Sequence, residues 1–297
     1  MPEQGVQRLS RLALGTVQFG LPYGIANQSG QVNRTDASAM LQLAAFNGID
    51  TLDTAIAYGE SEVALGQVGT HGFKVVTKLP ALPDDCPQVI SWVMDQVHAS
   101  FNRLGVTTVY GLLLHCPEQL LGPNGNELYE ALCAVKECGN VQKVGVSIYN
   151  PLELEELTRL FHFDLVQAPL SIIDSRLHQT GWLQRLKTDG VEIHTRSAFL
   201  QGLLLMPENA IPAKFAPFSH LLKRWHIWLA EQNISAVQAC LAFPLAFPEI
   251  DRVVIGADSV QQLKQLIEAA SPIFSNQLPD LSCDNENLIN PSLWNRL

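Results

Sequence analysis

Apolar positions along the chain fall into short continuous runs, separated by longer stretches in which they recur every three or four residues. The runs are RLALGTV (11–17), IDTLDT (49–54), KVVTKL (74–79), VYGLLLH (109–115), KVGVSI (143–148), DLVQAP (164–169), VEIHTRSA (191–198) and RVVIGA (252–257). A strand with one face in water alternates apolar and polar residues, whereas a strand covered on both faces does not. These runs therefore predict parallel strands packed between other layers. Helical periodicity occupies 35–47, 60–68, 87–103, 126–138, 151–160, 178–189 and 259–270. Two more such segments, 219–232 and 235–247, follow an irregular stretch (200–218) in the long interval before the last strand. Asn33 or Thr35 can cap the first helix, Pro151 suits the opening turn of the fifth, and Asp258 or Ser259 can cap the last.

Repeated strand–helix units of this number predict an α/β fold, a (β/α)8 barrel, which fills about 250 residues as one domain. The expected organisation is a single domain over 1–297, with 271–297 as a C-terminal tail. An open doubly wound sheet is the alternative. The absence of G-x-G-x-x-G weighs against a dinucleotide-binding version of it. No low-complexity segment or linker divides the chain. The tail is polar with Leu and Trp punctuation, which leaves open whether it folds back over the barrel or stays partly loose.

Composition narrows the class. Hydrophobic residues at 47% and charged residues at 16% exclude a disordered tail or a charged coiled coil. With 19 basic against 29 acidic residues, a net charge of −10 and no basic cluster, a nucleic-acid partner is not expected. The N-terminal MPEQGVQRLS lacks the apolar run of a signal peptide. The most apolar window, 236–250, carries two prolines and is shorter than the ~18 residues of a membrane span, so no membrane association is expected. Cys86, Cys116, Cys133, Cys138, Cys240 and Cys283 show no metal or C-x-x-C spacing and read as free thiols in a cytoplasmic protein. No metal site is expected.

The site of a barrel enzyme lies at the C-terminal strand ends. Nearly every predicted strand ends there on a polar side chain: Asp53, Lys78, His115, Ser147, Gln167, then Arg196 and Ser197, with Tyr58 on the loop after Asp53. Unpaired polar groups cost roughly 2–7 kcal/mol to bury, so these should meet one another or a ligand. Asp53, Tyr58, Lys78 and His115 make chemical sense together. A tyrosine holds its proton at neutral pH and can donate it to a carbonyl oxygen. A lysine beside it is expected to lower its pKa, an aspartate to hold the lysine charged, and a histidine to polarise the same carbonyl. The missing reductant must be a nicotinamide cofactor, because no side chain donates hydride.

With these residues in view, the chain resembles the aldo-keto reductase superfamily. The matching stretches are LGTVQFG (14–20), GIDTLDTAIAYGESEVALG (48–66), VVTKLP (75–80), LLLHCPE (112–118), VGVSIYNP (144–151), FDLVQAP (163–169), SAFLQGLL (197–204) and VVIGADSVQQL (253–263). They run in the family's order, and Asp53 and Tyr58 inside D-T-A-x-x-Y-G-x-S-E form the most specific piece.

The resemblance implies a barrel that reduces carbonyls with NADP(H), or NAD(H) as the alternative. Its tetrad falls on Asp53, Tyr58 as general acid, Lys78 and His115. It implies that Ser147 and Gln167 hold the nicotinamide carboxamide and that Gly15 and Thr16 lie near the nicotinamide ribose. Ser197, Leu200 and Gly202 match the pyrophosphate loop, while Gly256, Ser259, Gln262 and Gln265 match the adenosine-phosphate segment. The chain also departs from the family pattern. Ile148 stands in place of an Asn, Arg196 in place of the aromatic that stacks on the nicotinamide, Gln262 in place of an Arg, and Leu266 in place of an adenine-contacting Asn. Lys264 is a substitute candidate for the 2′-phosphate.

Gln18, Phe19 and Tyr23 follow the first strand and are candidate substrate contacts. The partner expected is a small-molecule carbonyl compound. The other seven histidines read as structural or surface groups, Trp225 and Trp228 as core or interface, Cys116 as an inert thiol, and Glu153, Glu155 and Glu156 as a solvated helix face. Two other classes stay beside the reductase: a cofactor-sensing regulatory or assembly subunit with little turnover, and a metal-dependent barrel hydrolase.

Overall fold

A run that is apolar at every position can only be satisfied where both of its faces are covered, and a closed barrel does this for each strand in turn. The computed structural model of the protein describes residues 9–270 and 278–296. Its eight parallel strands close in sequence order. They are β1 (Leu12–Gly15), β2 (Thr51–Asp53), β3 (Lys74–Leu79), β4 (Val109–Leu114), β5 (Val141–Ser147), β6 (Leu165–Pro169), β7 (Glu192–Arg196) and β8 (Arg252–Gly256). The helices that cover them are α1 (Arg34–Phe46), α2 (Ser61–Val68), α3 (Val89–Leu104), α4 (Gly125–Glu137), α5 (Glu153–Leu160), α6 (Trp182–Thr188), α8 (Ala236–Leu245) and α9 (Val260–Ala270), while α7 (Ser219–Gln232) buries Leu222 and Trp225 in a second core.

Two sets of strand residues explain the continuous runs. Leu12, Leu14, Leu52, Val144, Val146, Val166, Ile193, Val253 and Ile255 join Met40, Val93, Leu128, Leu157 and Leu263 of the helices in the main core. Val76, Leu113 and Leu165 form a separate small cluster. The alternate positions of the strands face the barrel interior, and their upper ends carry the polar groups. At the opposite end the Glu192 carboxylate accepts from Tyr110 OH (2.6 Å) and contacts Lys143 and His194, so polar groups close the barrel floor.

Local chemistry moves several element boundaries. The first run stops at Gly15: Thr16 binds Asp53 O through its N–H (2.9 Å) and Oγ1 (3.0 Å), after which Val17–Gly20 make a single helical turn. Asn33 caps α1, its side chain accepting from Asp36 N–H. Helix α5 starts at Glu153, two residues past Pro151. The Glu153 carboxylate is no solvated face, since it accepts the N–H groups of Tyr149 (3.0 Å) and Asn150 (2.6 Å). Segment 178–189 is broken at Gly181, whose φ of 78° a helix cannot contain.

The tail folds back. Leu281, Leu288, Ile289 and Trp294 are buried with Ile172, Leu200, Phe215 and Trp225 in a second core. Trp225 Nε1 donates to Leu204 O at 3.0 Å, so Trp225 is a core residue. The part of the tail at 271–277 lies outside the described residues.

Candidate active site

The two oxygens of the Asp53 carboxylate accept from Lys78 Nζ at 2.8 and 2.9 Å, and Lys78 also donates to Thr54 O at 2.8 Å. Gln167 Nε2 donates to Asp53 Oδ2 at 2.7 Å, and Ser147 Oγ to Gln167 Oε1 at 3.1 Å. Strands β2 and β6 are not neighbours, so the Gln167–Asp53 bond crosses the barrel interior. The ammonium is fully buried and Asp53 is 4% exposed. Burial pulls the Lys78 pKa down, the facing carboxylate pulls it up, and the balance lies below that of an ordinary lysine.

Tyr58 stands over this pair. Lys78 Nζ is 5.0 Å from its ring centroid, and the His115 ring meets it edge-on at 5.8 Å and 77°. The expected lowering of the tyrosine pKa by Lys78 does not occur. Burial, and after it the Asp53 charge, raise the Tyr58 pKa well above that of a free phenol, while the cation that lowers it is Arg196. The reason is burial first: the phenolate would lose its hydration in this site, and the adjacent Asp53 carboxylate adds repulsion. His115 is brought down to about 4, first by burial and then by Lys78 and Arg196, so it is neutral at pH 7.

The Tyr58 loop is pinned by groups that the strand-end reading missed. Ser61 Oγ donates to Thr16 O (2.8 Å) and meets Thr54 Oγ1 at 3.0 Å. Glu62, 1% exposed, accepts from Thr77 (2.7 Å), Ser100 (2.6 Å) and Arg103 (2.8 Å). A buried acid in Y-G-E-S-E was the available signal. Gly20 lies against this loop so closely that a Cβ there would sit 1.8 Å from Tyr58 O.

Arg196, at the end of β7, lies with Cζ 4.3 Å from the Tyr149 ring centroid. It donates to Ile148 O (2.9 Å) and Ser197 Oγ (3.2 Å), and among the described residues no ion pair holds it. The loop beyond is held in the left-handed region at Ser197 (φ 66°), Leu200 (45°) and Gln201 (52°), three non-glycine residues, followed by Gly202 (91°). Buried Leu200 and the bond from Ile25 N–H to Gln201 O (3.1 Å) fix it. Such strain persists only where its surroundings over-determine it, and it gathers at ligand sites.

The three candidate substrate contacts separate. Phe19 is fully buried in the main core, because the turn at Val17–Gly20 sends it inward, and it lines no opening. Gln18 is 8% exposed, and among the described residues its Oε1 has no hydrogen-bond partner. Its amide lies against Gly256, where a Cβ would be 2.6 Å from Nε2. Tyr23 is 38% exposed, accepts from Gln201 Nε2 at 3.0 Å, and stays beside Tyr58.

Several groups fit a bound nicotinamide nucleotide. These are an orphaned buried amide oxygen at Gln18, a bare backbone wall at Gly256, and the second N–H of Gln167 with the lone pairs of Ser147. Gly15 and Thr16 end β1 but are buried, and the Thr16 hydroxyl is already engaged by Asp53 O (3.0 Å) and Ser61 Oγ (2.9 Å), so it offers a ribose no free group. The adenosine end is less provided for. Ser259 Oγ accepts from Gln262 N–H (3.2 Å) as a helix cap, and Gln262 Oε1 accepts from Asp258 N–H (2.5 Å). Gln265 is exposed, Leu266 is buried in the core, and exposed Lys264 lies 3.9 Å from Glu268. Burial raises the Cys116 thiol pKa, which keeps it protonated.

The model of the aldo/keto reductase family matches residues 11–279. The oxidoreductase YqkF of Bacillus subtilis (strain 168) is 24% identical, over 87% of this chain and 90% of its own. The L-galactose dehydrogenase of Arabidopsis thaliana is 26% identical, over 93% and 89%. An aldo-keto reductase of Bacillus halodurans, solved in its holo form, superposes with a TM-score of 0.73 at 20% identity, over 90% and 88% of the two chains. That last likeness shows the shared fold.

Proposed function

The chain belongs to the aldo/keto reductase family, and from that premise we propose that it reduces the carbonyl of an aldehyde, ketone or sugar-like compound with NADPH or NADH, or runs the reverse alcohol oxidation. NADP(H) is the first choice because the family resemblance implies it; NAD(H) is the second, kept because Gln262 stands in place of an arginine and exposed Lys264 lies beside Glu268. The observation that carries the reading is the convergence of Tyr58, His115 and the buried Asp53–Lys78 pair at one barrel mouth.

Nicotinamide, when bound, supplies the hydride that no side chain can. Tyr58 holds a proton at its phenol and delivers it to the carbonyl oxygen. His115, neutral, donates a hydrogen bond to the same oxygen and orients it. Asp53 keeps Lys78 charged in spite of its burial, and Lys78 with Arg196 supplies positive charge beside the phenolate that proton transfer leaves. Gln167 and Ser147 are steered by Asp53 into place to hold the carboxamide. The whole chain, 1–297 with the 271–297 tail, acts as one cytoplasmic domain in this reading.

A second reading, a cofactor-sensing subunit with little turnover, is favoured by one observation: Gln262 is spent on Asp258 N–H and Leu266 on the core, so two adenosine positions are out of use. Titration with NADPH and with NADH, read by nicotinamide fluorescence, followed by a panel of aldehydes, ketones and sugars, separates the two. Saturable binding followed by cofactor oxidation is the expected result. Tight binding without oxidation on any carbonyl selects the subunit, and no binding of either nucleotide refutes both.

A further inference from the structure

The C-terminal segment is tied to the active-site mouth by a chain of contacts that neither packing nor charge balance requires. Arg176 is already paired: its Nε donates to Asp174 Oδ1 at 2.8 Å and its Nη2 to Oδ2 at 2.9 Å, with Asp174 1% exposed. A pair built only for stability is complete at that point. Glu286 adds a second carboxylate to one guanidinium, through Arg176 Nη1, and gives the cluster an excess negative charge. What Glu286 gains is the loop after β5. Its Oε1 accepts from Asn150 Nδ2 at 3.1 Å, while Arg176 Nη2 donates to Tyr149 O at 3.1 Å. The Tyr149 ring in turn carries the Arg196 guanidinium at 4.3 Å, and Arg196 donates to Ile148 O at 2.9 Å in the same loop. The segment that bears Glu286 is itself anchored by Cys283 N–H on Ile173 O (2.8 Å) and by buried Leu288 and Ile289.

We propose that Glu286 is a positioning residue for the active site: Glu153 holds the backbone N–H groups of Tyr149 and Asn150, Glu286 through Arg176 and Asn150 completes the fixing of the loop 148–150 from its other side, and that loop sets where the Arg196 guanidinium stands beside Tyr58. This rests on the reductase reading. Among the described residues Arg196 pairs with no carboxylate; Tyr149, Ile148 O and its own neighbour Ser197 Oγ set its place, and a drifting 148–150 loop carries the cation with it. The proximity of Arg196 to Tyr58 and His115 is visible in its effect on both.

The test is Glu286→Gln, alone and in an Arg196→Met background. Glu286→Gln leaves Arg176 bound to Asp174, so the fold is retained, and Asn150→Ala removes the other leg independently. Two readouts are taken on the full-length protein: amide hydrogen exchange over 148–152 without ligand, and kcat/KM with the best carbonyl of the panel. The expected result is about tenfold faster exchange at 148–152 with the rest of the barrel unchanged. With it, kcat/KM falls about tenfold when Arg196 is present and less than about twofold when it is Met, the non-additivity of residues acting through one another. Asn150→Ala should show the same pattern. Unchanged exchange, or an equal loss in both backgrounds, overturns the proposal while leaving the reductase intact. A parent protein that neither binds nicotinamide nucleotides nor turns over overturns the reductase reading and the proposal with it.

Discussion

Replacing Asp53 by Asn removes one charge from a fully buried ion pair and leaves the shape of the site almost unchanged. The carboxylate now holds Lys78 through both oxygens and also receives Gln167. In Asp53→Asn the ammonium keeps Thr54 O at 2.8 Å and at most one neutral amide oxygen, with no counter-charge, in a site with no exposure. Breaking one side of a buried pair costs about 3–5 kcal/mol. Replacing Lys78 by Met strands the carboxylate instead and should cost a similar amount. The double variant removes both charges and should recover most of the loss, because two buried charges replaced by neutral groups are often neutral in sum.

The pH dependence has a definite sign. Without Asp53 the lysine pKa, already depressed by burial, falls further below that of the unfolded chain. The unfolded chain then binds more protons than the folded one, so stability rises with pH toward the unfolded lysine value. The deficit of Asp53→Asn should therefore be largest near neutrality and shrink between about pH 8 and 10. Urea unfolding of the four proteins at pH 7 and pH 9.5 measures all of this. Additive losses in the double variant, or a deficit that grows with pH, would refute the view that Asp53 holds a charged lysine.

Other perturbations reach different links of the account. His115, held down to about 4 by burial and two cations, stays uncharged at pH 5–8, and the unfolded chain alone takes up its proton between about pH 6.5 and 4. Stability should fall on acidification through that window, and His115→Gln should fall less over the same interval in denaturant unfolding. Gly20→Ala puts a Cβ 1.8 Å from Tyr58 O. Backbone must move, so kcat should drop with a loss of about 1–3 kcal/mol or more, and full activity at an unchanged melting point would contradict the packing. Trp294→Ala empties a buried site beside Phe215 (4.8 Å between centroids). Losing about 3 kcal/mol of docking should speed exchange in 278–296 by about a hundredfold, and unchanged exchange would deny that the segment is docked.

The barrel was legible because each strand is buried on two faces, which leaves short runs such as VVTKL without the strict alternation of a half-exposed strand, repeated between helical segments. Asp53, Lys78 and His115 were legible for the converse reason, as polar groups ending such runs. What sequence could not give is direction after the strand stops. Phe19 and Gln18 are adjacent, yet one turn of helix sends the first into the core and the second to the mouth. Glu153 looked like one of three solvated acids, and its role depends on two loop N–H groups that no pattern announces. The sign of the Tyr58 shift depends on how deeply the phenol is buried and how near the Asp53 carboxylate stands, which residue types alone do not give. Glu286 lies 110 positions from Arg176, in a tail whose composition carries no periodic signal.

The central claim is that Tyr58 supplies the proton, and the most direct test is Tyr58→Phe compared with the parent in one set of titrations. The ring and its packing on His115 survive the substitution, so the nicotinamide nucleotide should bind within about twofold of the parent. Turnover should fall by about 10²–10⁴-fold, the range of a lost general acid. A variant that binds cofactor and keeps the parent's kcat would contradict the account.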